Sequence, residues 1–227
     1  MPDPRPLIPD PGPRGIITVL AGVNGAGKSS VAGNYLRQAG GDYYNPDEAT
    51  RIILRQNPGL APATANGLAW TEGKERLERA IAEGSDFVFE TTLGANTITH
   101  LLLRATCEGM AIKVCFVGLV SVEHHLRRVA ARVAVGGHDI PESKIRERWQ
   151  NSRLNIIRLL PHLTEFVLWD NSAEADFAAA APSPVLLLQV VDGNILAPDN
   201  LAATPEWAKP IVAAALKIHS SQRPPSS

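Results

Sequence analysis

Short apolar runs rich in β-branched residues alternate along the chain with longer stretches in which apolar positions recur at helical spacing. Residues 16–21 read Ile-Ile-Thr-Val-Leu-Ala without polar alternation, which is typical of a strand buried on both faces of a parallel sheet. The same patterns predict strands at 42–45, 87–89, 112–119 and 166–169, and helices from the first Gly-rich turn to about residue 38 and over 66–83, 97–107, 123–135 and 141–160. Because strands and helices alternate, we predict a mostly parallel sheet with helices on both faces.

The last fifth of the chain departs from this alternation. Apolar runs at 185–190 and 194–197 flank Asp192-Gly193, a pair that suits a tight turn. An Ala-rich stretch at 206–218 follows. We therefore predict a terminal hairpin and a closing helix.

Both ends of the chain differ in composition from the middle. Six prolines precede residue 14, and proline fixes φ and removes backbone donors, so residues 1–13 are predicted to form a flexible arm. Residues 219–227 are rich in serine and proline and are predicted to form a flexible tail. A single folded domain is expected at 14–218.

A Gly-rich segment directly follows the first predicted strand and opens a predicted helix. It matches the phosphate-loop pattern of glycine, four residues, glycine, lysine and serine or threonine. The predicted nucleotide-binding residues are Gly22, Asn24, Gly25, Ala26, Gly27, Lys28, Ser29 and Ser30. Glycines let successive backbone N–H groups point at phosphate oxygens, and the helix N-terminus adds its dipole. Lys28 is expected to reach the β- and γ-phosphates from an exposed loop, and the Ser29 hydroxyl to bind Mg²⁺.

A phosphate loop alone permits a GTPase switch, an ATP-driven motor or a kinase. The Asn-Lys-x-Asp pattern that reads guanine is absent from the sequence. The acidic pair expected of a motor is replaced by the single Glu90. A small-molecule kinase needs a carboxylate near the acceptor hydroxyl and arginines over the phosphates, and the chain contains candidates for both.

The first candidate carboxylate is Asp47, in the segment Asn45-Pro46-Asp47-Glu48 after the second predicted strand. Proline and two carboxylates here are typical of the first turn of a helix. The carboxyl ends of parallel strands gather beside the phosphate site, so Asp47 is placed to accept the proton of a substrate hydroxyl. An ordinary helix-start aspartate would have the same pattern, and the sequence leaves both interpretations open.

The second candidate carboxylate is Glu90, which ends the apolar run 87–89 at the same predicted edge. We expect it to hold Mg²⁺ through water or to orient the substrate, the alternative being a solvated residue at a strand end. Thr91 and Thr92 follow it as candidate hydroxyl donors to the substrate, or as part of a turn.

Basic residues are concentrated between Arg127 and Arg158. Eight lysines and arginines face three acidic residues there, although the whole chain has a net charge of -1. Two predicted helices in this stretch are joined by Gly136-Gly137-His138-Asp139-Ile140-Pro141, in which His138 is expected to be a turn residue. We expect a phosphate-clamping lid at about 127–160, and the alternative is a solvated basic helix face.

Composition narrows the partners and the compartment. With 22 basic and 23 acidic residues there is no overall positive field to hold nucleic acid or an anionic membrane. The two cysteines, Cys107 and Cys115, exclude a disulfide framework, and no apolar run is long enough to span a membrane. The N-terminus lacks the apolar core of a secretory signal. We expect a cytoplasmic protein that binds neither nucleic acid nor membrane.

Taken together, these motifs resemble the zeta toxin family of P-loop kinases over about residues 16–172. The matching segments are 21–30, Asn45-Pro46-Asp47-Glu48, Phe87-Val88-Phe89-Glu90-Thr91-Thr92-Leu93, Arg132-Val133 with 136–141, Arg148-Trp149 with Ser152 and Asn155, and Trp169-Asp170-Asn171-Ser172. The resemblance implies a three-layer α/β P-loop kinase fold with a central, mostly parallel sheet and a helical lid. The hairpin and helix after residue 184 lie outside the match.

The resemblance also implies roles for the residues of the phosphate site. Lys28 would bind the β- and γ-phosphates of ATP, and Asp47 would be the general base. Glu90 would bind substrate or help to place Mg²⁺. Asn171 would lie near the adenine.

In the lid, the resemblance implies that Arg132 and Arg148 stabilise the transferred phosphate, with Arg146 as the alternative to Arg148. Zeta toxins phosphorylate the 3′-hydroxyl of UDP-N-acetylglucosamine and are neutralised by a small antitoxin protein, so a UDP-sugar acceptor and an antitoxin partner are implied here. Two other functions are open: a housekeeping kinase of another small molecule or nucleotide, and a non-enzymatic nucleotide-dependent switch.

Overall fold

A mostly parallel sheet forms the centre of the fold. The computed structural model describes residues 12–31, 43–137, 139–173, 183–198 and 200–222. Within these residues the sheet has seven strands: β1 (Ile16–Ala21), β2 (Tyr43–Tyr44), β3 (Phe87–Thr91), β4 (Ala111–Gly118), β5 (Glu165–Asp170), β6 (Val185–Val191) and β7 (Asn194–Ala197). Their spatial order is β2-β3-β1-β4-β5-β6-β7.

Five strands are parallel and two are antiparallel, as the sequence predicts. The strands β2, β3, β1, β4 and β5 pair in parallel, whereas β6 pairs antiparallel with β5 and β7 antiparallel with β6. The turn between β6 and β7 has positive φ at both Asp192 (47°) and Gly193 (75°). This is the backbone of a tight hairpin turn, and it explains the Asp-Gly pair.

Helices flank the sheet. They are α1 (Pro46–Gln56), α2 (Pro62–Glu83), α3 (Asn96–Cys107), α4 (Val122–Ala134), α5 (Glu142–Leu159) and α6 (Lys209–Gln222), with a 3₁₀ turn at Leu160–His162. Residues 28–31, after the phosphate loop, are also helical. The predicted continuation of that helix to residue 38, the turn residue His138 and most of the predicted arm and tail lie outside the described residues.

The helix α2 begins earlier in the chain, and α6 ends later, than the sequence predicts. α2 begins at Pro62 rather than at residue 66, because proline is accommodated in the first turn even though apolar periodicity starts later. α6 ends at Gln222 rather than at residue 218. The hydroxyls of Ser220 and Ser221 donate to carbonyl oxygens one turn back, at 2.9 Å to Leu216 and 2.7 Å to Ile218, so both hydroxyls have partners within the helix.

Side chains of β1 pack alternately on the two faces of the sheet. Ile17, Val19 and Ala21 belong to the larger apolar cluster, which also contains residues of α2, α3, α5 and α6. Leu20 packs on the other side with Ala26 and Val31 of the phosphate-loop segment. Burial on both faces explains why this strand lacks polar alternation. Among the described residues, no helix is both long and apolar enough to cross a membrane.

Candidate active site

Parallel pairing brings distant segments to one edge of the sheet. The strands β1 and β3 are in register with Leu20 opposite Glu90 and Ala21 opposite Thr91. β4 and β5 end together, with Gly118 opposite Asp170. The phosphate loop, Glu90 and the segment after Asp170 therefore lie at the carboxyl edge of the sheet, where ligands of such folds bind.

The glycines of the phosphate loop occupy positions that a side chain could not. Gly22 has φ of 144°, and a Cβ there would lie 2.2 Å from the carbonyl oxygen of Val117. Gly27 has φ of 79°, and a Cβ there would lie 2.5 Å from Asn171 Nδ2. The loop is thus closely packed against β4 and the segment after β5, and its backbone conformation needs glycine.

Lys28 is buried, with only 7% of its surface exposed, so the expected exposed loop position is wrong. Its Nζ donates to the carbonyl oxygen of Gly22 at 2.8 Å and lies 3.3 Å from Glu90 Oε1. A buried charge needs such partners, and the loop wraps around the lysine to supply one of them. The ammonium group is held at the base of the loop.

Glu90 is the centre of a polar cluster that the sequence only partly predicts. Its Oε2 accepts from Ser29 Oγ at 3.1 Å, from the Tyr43 hydroxyl at 2.9 Å and from Asn45 Nδ2 at 3.1 Å. Burial and the charge of Glu90 raise the pKa of Tyr43, so its hydroxyl stays protonated and donates. Tyr43 and Asn45 were not predicted as site residues, although both belong to the predicted strand at 42–45, directly before Asp47.

Asp47 lies in the first turn of α1, as predicted. Asn45 caps this helix, and its Oδ1 accepts from the backbone N–H of Asp47 at 2.9 Å and of Glu48 at 3.3 Å. Because Asn45 serves as the cap, the Asp47 side chain is not needed for capping. Its Oδ2 instead lies 3.4 Å from Arg132 Nη1 of α4.

The predicted lid covers α4 and α5, and Arg148 rather than Arg146 lies at the phosphate loop. Arg148 Nη1 donates to Asn24 Oδ1 at 2.8 Å, and burial lowers the pKa of this guanidinium. Arg146 pairs with Glu142 at 2.8 Å and Glu123 at 3.1 Å on the exposed side of the lid.

Asn171 contacts the phosphate loop directly, because its Nδ2 donates to the carbonyl oxygen of Ala26 at 2.9 Å. The sequence allowed Thr91 and Thr92 to be hydroxyl donors to the substrate or part of a turn, and their contacts are those of a turn. Their Oγ1 atoms accept from the backbone N–H of Leu93 at 3.1 Å and of Gly94 at 3.3 Å. Both threonines also line the cavity described next.

A cavity of about 380 Å³ opens in front of the phosphate loop. Its walls come from the loop, the start of α1, one face of α2, the turn after β3 and the lid. The predicted site residues among the lining are Asn24, Lys28, Asp47, Glu90, Thr91, Thr92 and Arg148. Residues that are separated by more than a hundred positions in the sequence thus share one concave surface, as expected of a small-molecule site.

His125 is a buried residue of α4 that contacts the phosphate loop. It is 1% exposed, and its Nδ1 lies 2.9 Å from the carbonyl oxygen of Asn24. A carbonyl only accepts, so Nδ1 carries the proton. Burial, together with the nearby positive charges of Lys28 and Arg128, lowers the pKa of this imidazole to about 4. His125 is therefore neutral at neutral pH.

The phosphate loop, the mostly parallel sheet and the basic two-helix lid define a P-loop protein with a kinase-like fold. The sequence profile of the AAA domain matches residues 17–154, and the chain belongs to this family. An uncharacterized protein of Haemophilus influenzae is 30% identical over 131 residues, which are 56% of this chain and 88% of that protein.

Solved structures show the same fold. The crystal structure of AvrRxo1-ORF1 with ORF2 and ATP aligns with a TM-score of 0.60 at 17% identity, over 96% of this chain and 67% of that chain. The complex with sulphate ions gives 0.58 at 17% identity, over 95% of this chain and 66% of that chain. This chain therefore spans about two thirds of the length of those two solved chains. At this level of identity the likeness establishes the fold.

Proposed function

We propose that the protein is an ATP-dependent kinase that transfers the γ-phosphate to a hydroxyl group of a small molecule. The observation that carries this proposal is that Asp47 lines the same cavity as Lys28 and Arg148. A nucleotide-dependent switch needs the phosphate loop but does not need a carboxylate placed to receive a proton. A kinase needs both.

The nucleotide side of the proposal rests on the phosphate loop. Gly22 and Gly27 have positive φ, a backbone conformation that lets successive N–H groups converge on phosphate oxygens, and the helix that starts at Lys28 adds its positive end. Lys28 would neutralise the β- and γ-phosphates, and Arg148, anchored to the loop through Asn24, would stabilise the charge of the transferred group. AvrRxo1-ORF1, a protein of the same fold, was crystallised with ATP.

The residues around Ser29 suit Mg²⁺. Ser29 Oγ and Glu90 Oε2 are 3.1 Å apart, close to the separation of about 2.9 Å between adjacent oxygens in an octahedral magnesium site. Both are hard oxygen donors of the type that Mg²⁺ prefers. The ion would neutralise phosphate charge, and the side chains of Tyr43 and Asn45 would fix the orientation of Glu90.

Asp47 would act as the general base. As the acceptor oxygen bonds to the γ-phosphorus, the bond from that phosphorus to the β–γ bridging oxygen breaks, ADP leaves, and the hydroxyl proton passes to the Asp47 carboxylate. Arg132 of the lid lies 3.4 Å from this carboxylate, so the position of the lid is coupled to the base. Lid closure and proton acceptance would thus occur together.

The resemblance to zeta toxins supports a finer proposal, namely that the acceptor is a UDP-sugar such as UDP-N-acetylglucosamine and that an antitoxin protein restrains the enzyme. AvrRxo1-ORF1 is likewise found with a second protein, ORF2. Growth arrest on expression of the wild type, abolished by Lys28→Ala, would support a toxin. Normal growth with abundant active wild-type protein would contradict it.

The kinase proposal is tested by incubating purified protein with γ-labelled ATP, Mg²⁺ and a metabolite extract. We expect one or more small molecules to gain the label, and Asp47→Asn to abolish this gain. Glu48→Gln, an exposed change in the same helical turn, is the matched control and should leave labelling unchanged. A labelled product that forms equally with all three proteins would contradict the assigned base. No labelled product with the wild type would contradict the kinase proposal itself.

A further inference from the structure

Trp70 is an exposed aromatic residue inside the cavity. It lines the part of the cavity formed by α2, and 45% of its surface is exposed. A tryptophan is normally among the most deeply packed side chains, because its rings offer a large apolar surface. An indole left open in a concave site beside candidate catalytic groups indicates a ligand that covers it.

The wall that carries Trp70 is firmly built. Asn66, Trp70 and Lys74 follow one another at intervals of four residues, so they share one face of α2, and all three line the cavity. Gly73, on the same wall, lies so close to the ring of Tyr44 that a Cβ there would be 2.6 Å from a ring carbon. The helix therefore packs directly against β2, which fixes the backbone of the turn that carries Trp70.

Neighbouring polar contacts fix the same wall. Thr50 Oγ1 donates to Asn66 Oδ1 at 3.0 Å, which joins α1 to α2 across the cavity floor. Lys74 Nζ pairs with Glu78 at 2.9 Å along α2. Asn66 and Lys74 are thereby held on either side of Trp70, and α1, which carries Asp47, is tied to the same helix.

The charges of the cavity lining do not by themselves identify the acceptor. The positive lining residues are Lys28, Lys74, Lys144 and Arg148, and the negative ones are Asp47, Glu90, Asp139 and Glu147. Their number is equal, and the phosphate loop and lid contribute three of the four positive charges, which leaves Lys74 as the one on the α2 wall. On the α2 wall, the exposed ring of Trp70, rather than a charge, is therefore the main feature that could select the acceptor.

We propose that Trp70 determines acceptor specificity by stacking against the face of a ring in the acceptor, while Asp47 faces the hydroxyl to be phosphorylated. This rests on the proposed kinase function. A nucleobase and the apolar face of a sugar ring both offer such a surface, so the class comprises nucleosides, glycosides and their derivatives. The ring would lie between α2 and the lid, with the hydroxyl directed towards the phosphate loop.

The test measures ring binding without turnover. Adenosine and uridine probe the base, and N-acetylglucosamine and glucose probe the sugar, each titrated by NMR into the full chain saturated with Mg²⁺ and a non-hydrolysable ATP analogue. We expect one class to bind the wild type, and Trp70→Ala to weaken this binding on the order of tenfold. Trp70→Phe retains an aromatic face and should recover most of the affinity.

The matched control is Leu68→Ala on the same helix, because Leu68 is 51% exposed but lies outside the cavity lining. It should bind like the wild type. Equal affinity for wild type and Trp70→Ala would overturn the proposal, as would binding of neither ring class. The two proposals are tested independently, because ring binding is measured without phosphate transfer. Absence of labelled product from ATP would contradict the kinase proposal alone.

Discussion

The two sides of the cavity are built in different ways. On the phosphate-loop side, Lys28 is 7% exposed and forms an ion pair with Glu90, whose carboxylate also accepts a hydrogen bond from Ser29. On the opposite side, Asp47 is about half exposed, and Trp70 presents an open ring surface to the cavity. The comparison teaches that the charged groups on the phosphate-loop side are satisfied by contacts within the protein, whereas the proposed acceptor side leaves a carboxylate and a ring surface exposed.

The largest effect is expected from Lys28→Ala. It removes the charge that meets the β- and γ-phosphates in both the bound and the transition state, so kcat/KM for ATP should fall by more than about 10³-fold. It also leaves the buried Glu90 carboxylate without its cation, so the free energy of unfolding should fall as well.

The double variant Lys28→Met with Glu90→Gln separates these two effects. It removes both charges and should melt closer to the wild type than Lys28→Ala does, without recovering activity. Thermal melts and ATP turnover on the same preparations check this. If Lys28→Ala melts like the wild type, the buried ion pair does not stabilise the nucleotide side.

The lid arginines should show the next largest effect. Arg148→Ala and Arg132→Ala are each expected to lower kcat on the order of 10³-fold, with a smaller change in ATP affinity, because charge at the transferred phosphate peaks in the transition state. Arg146→Ala is the matched control, since that side chain pairs with Glu142 and Glu123 away from the cavity. Equal losses from all three would indicate a diffuse basic surface rather than a clamp.

A smaller effect is expected from Tyr43→Phe, which removes one of the donors to Glu90 Oε2. The nearest groups that orient a metal ligand typically contribute about 10–100-fold to metal affinity. We expect the Mg²⁺ concentration for half-maximal turnover to rise by about tenfold, the low end of that range, with kcat at saturating Mg²⁺ nearly unchanged. An unchanged Mg²⁺ dependence would remove Glu90 from the proposed metal site.

The smallest effect concerns stability alone. His125 has a pKa of about 4 when folded and about 6.5 when unfolded. As pH falls through this window, the unfolded chain takes up a proton that the folded chain does not, so the free energy of unfolding falls. His125→Gln should flatten that decline in denaturant titrations, and the exposed His100→Gln should not. A decline that is as steep in His125→Gln as in the wild type would contradict this origin.

Much of the fold could be predicted because each feature has a local signature. The buried strand Ile16–Ala21, the glycines after it and the Asp192-Gly193 turn each depend on neighbouring residues. The contact of Lys28 with Gly22 lies within the phosphate-loop motif and could be expected from it. The burial of Lys28 could not, because it depends on how β4 and the segment after β5 pack against the loop.

The acceptor side could be predicted only in part. Asp47 was identified from its place after a strand, but its contact with Arg132 joins residues 85 positions apart. Trp70 has no motif: in sequence it is one more aromatic residue on a helix, and only the packing of α2 against β2 shows that its ring faces a cavity. Likewise, periodicity could not distinguish Arg148 from Arg146, since the direction of each side chain depends on the rotation of α5.

The most direct test of the kinase proposal is the rate of phosphate transfer in Asp47→Asn, measured on a preparation whose ATP affinity and melting temperature are also determined. Asn45 caps the helix, so the substitution should leave the fold and ATP binding close to the wild type. Transfer to the acceptor should drop at least about a hundredfold, the low end of the range for a positioned general base. Transfer near the wild-type rate would reduce Asp47 to a helix-start residue and contradict the proposed chemistry.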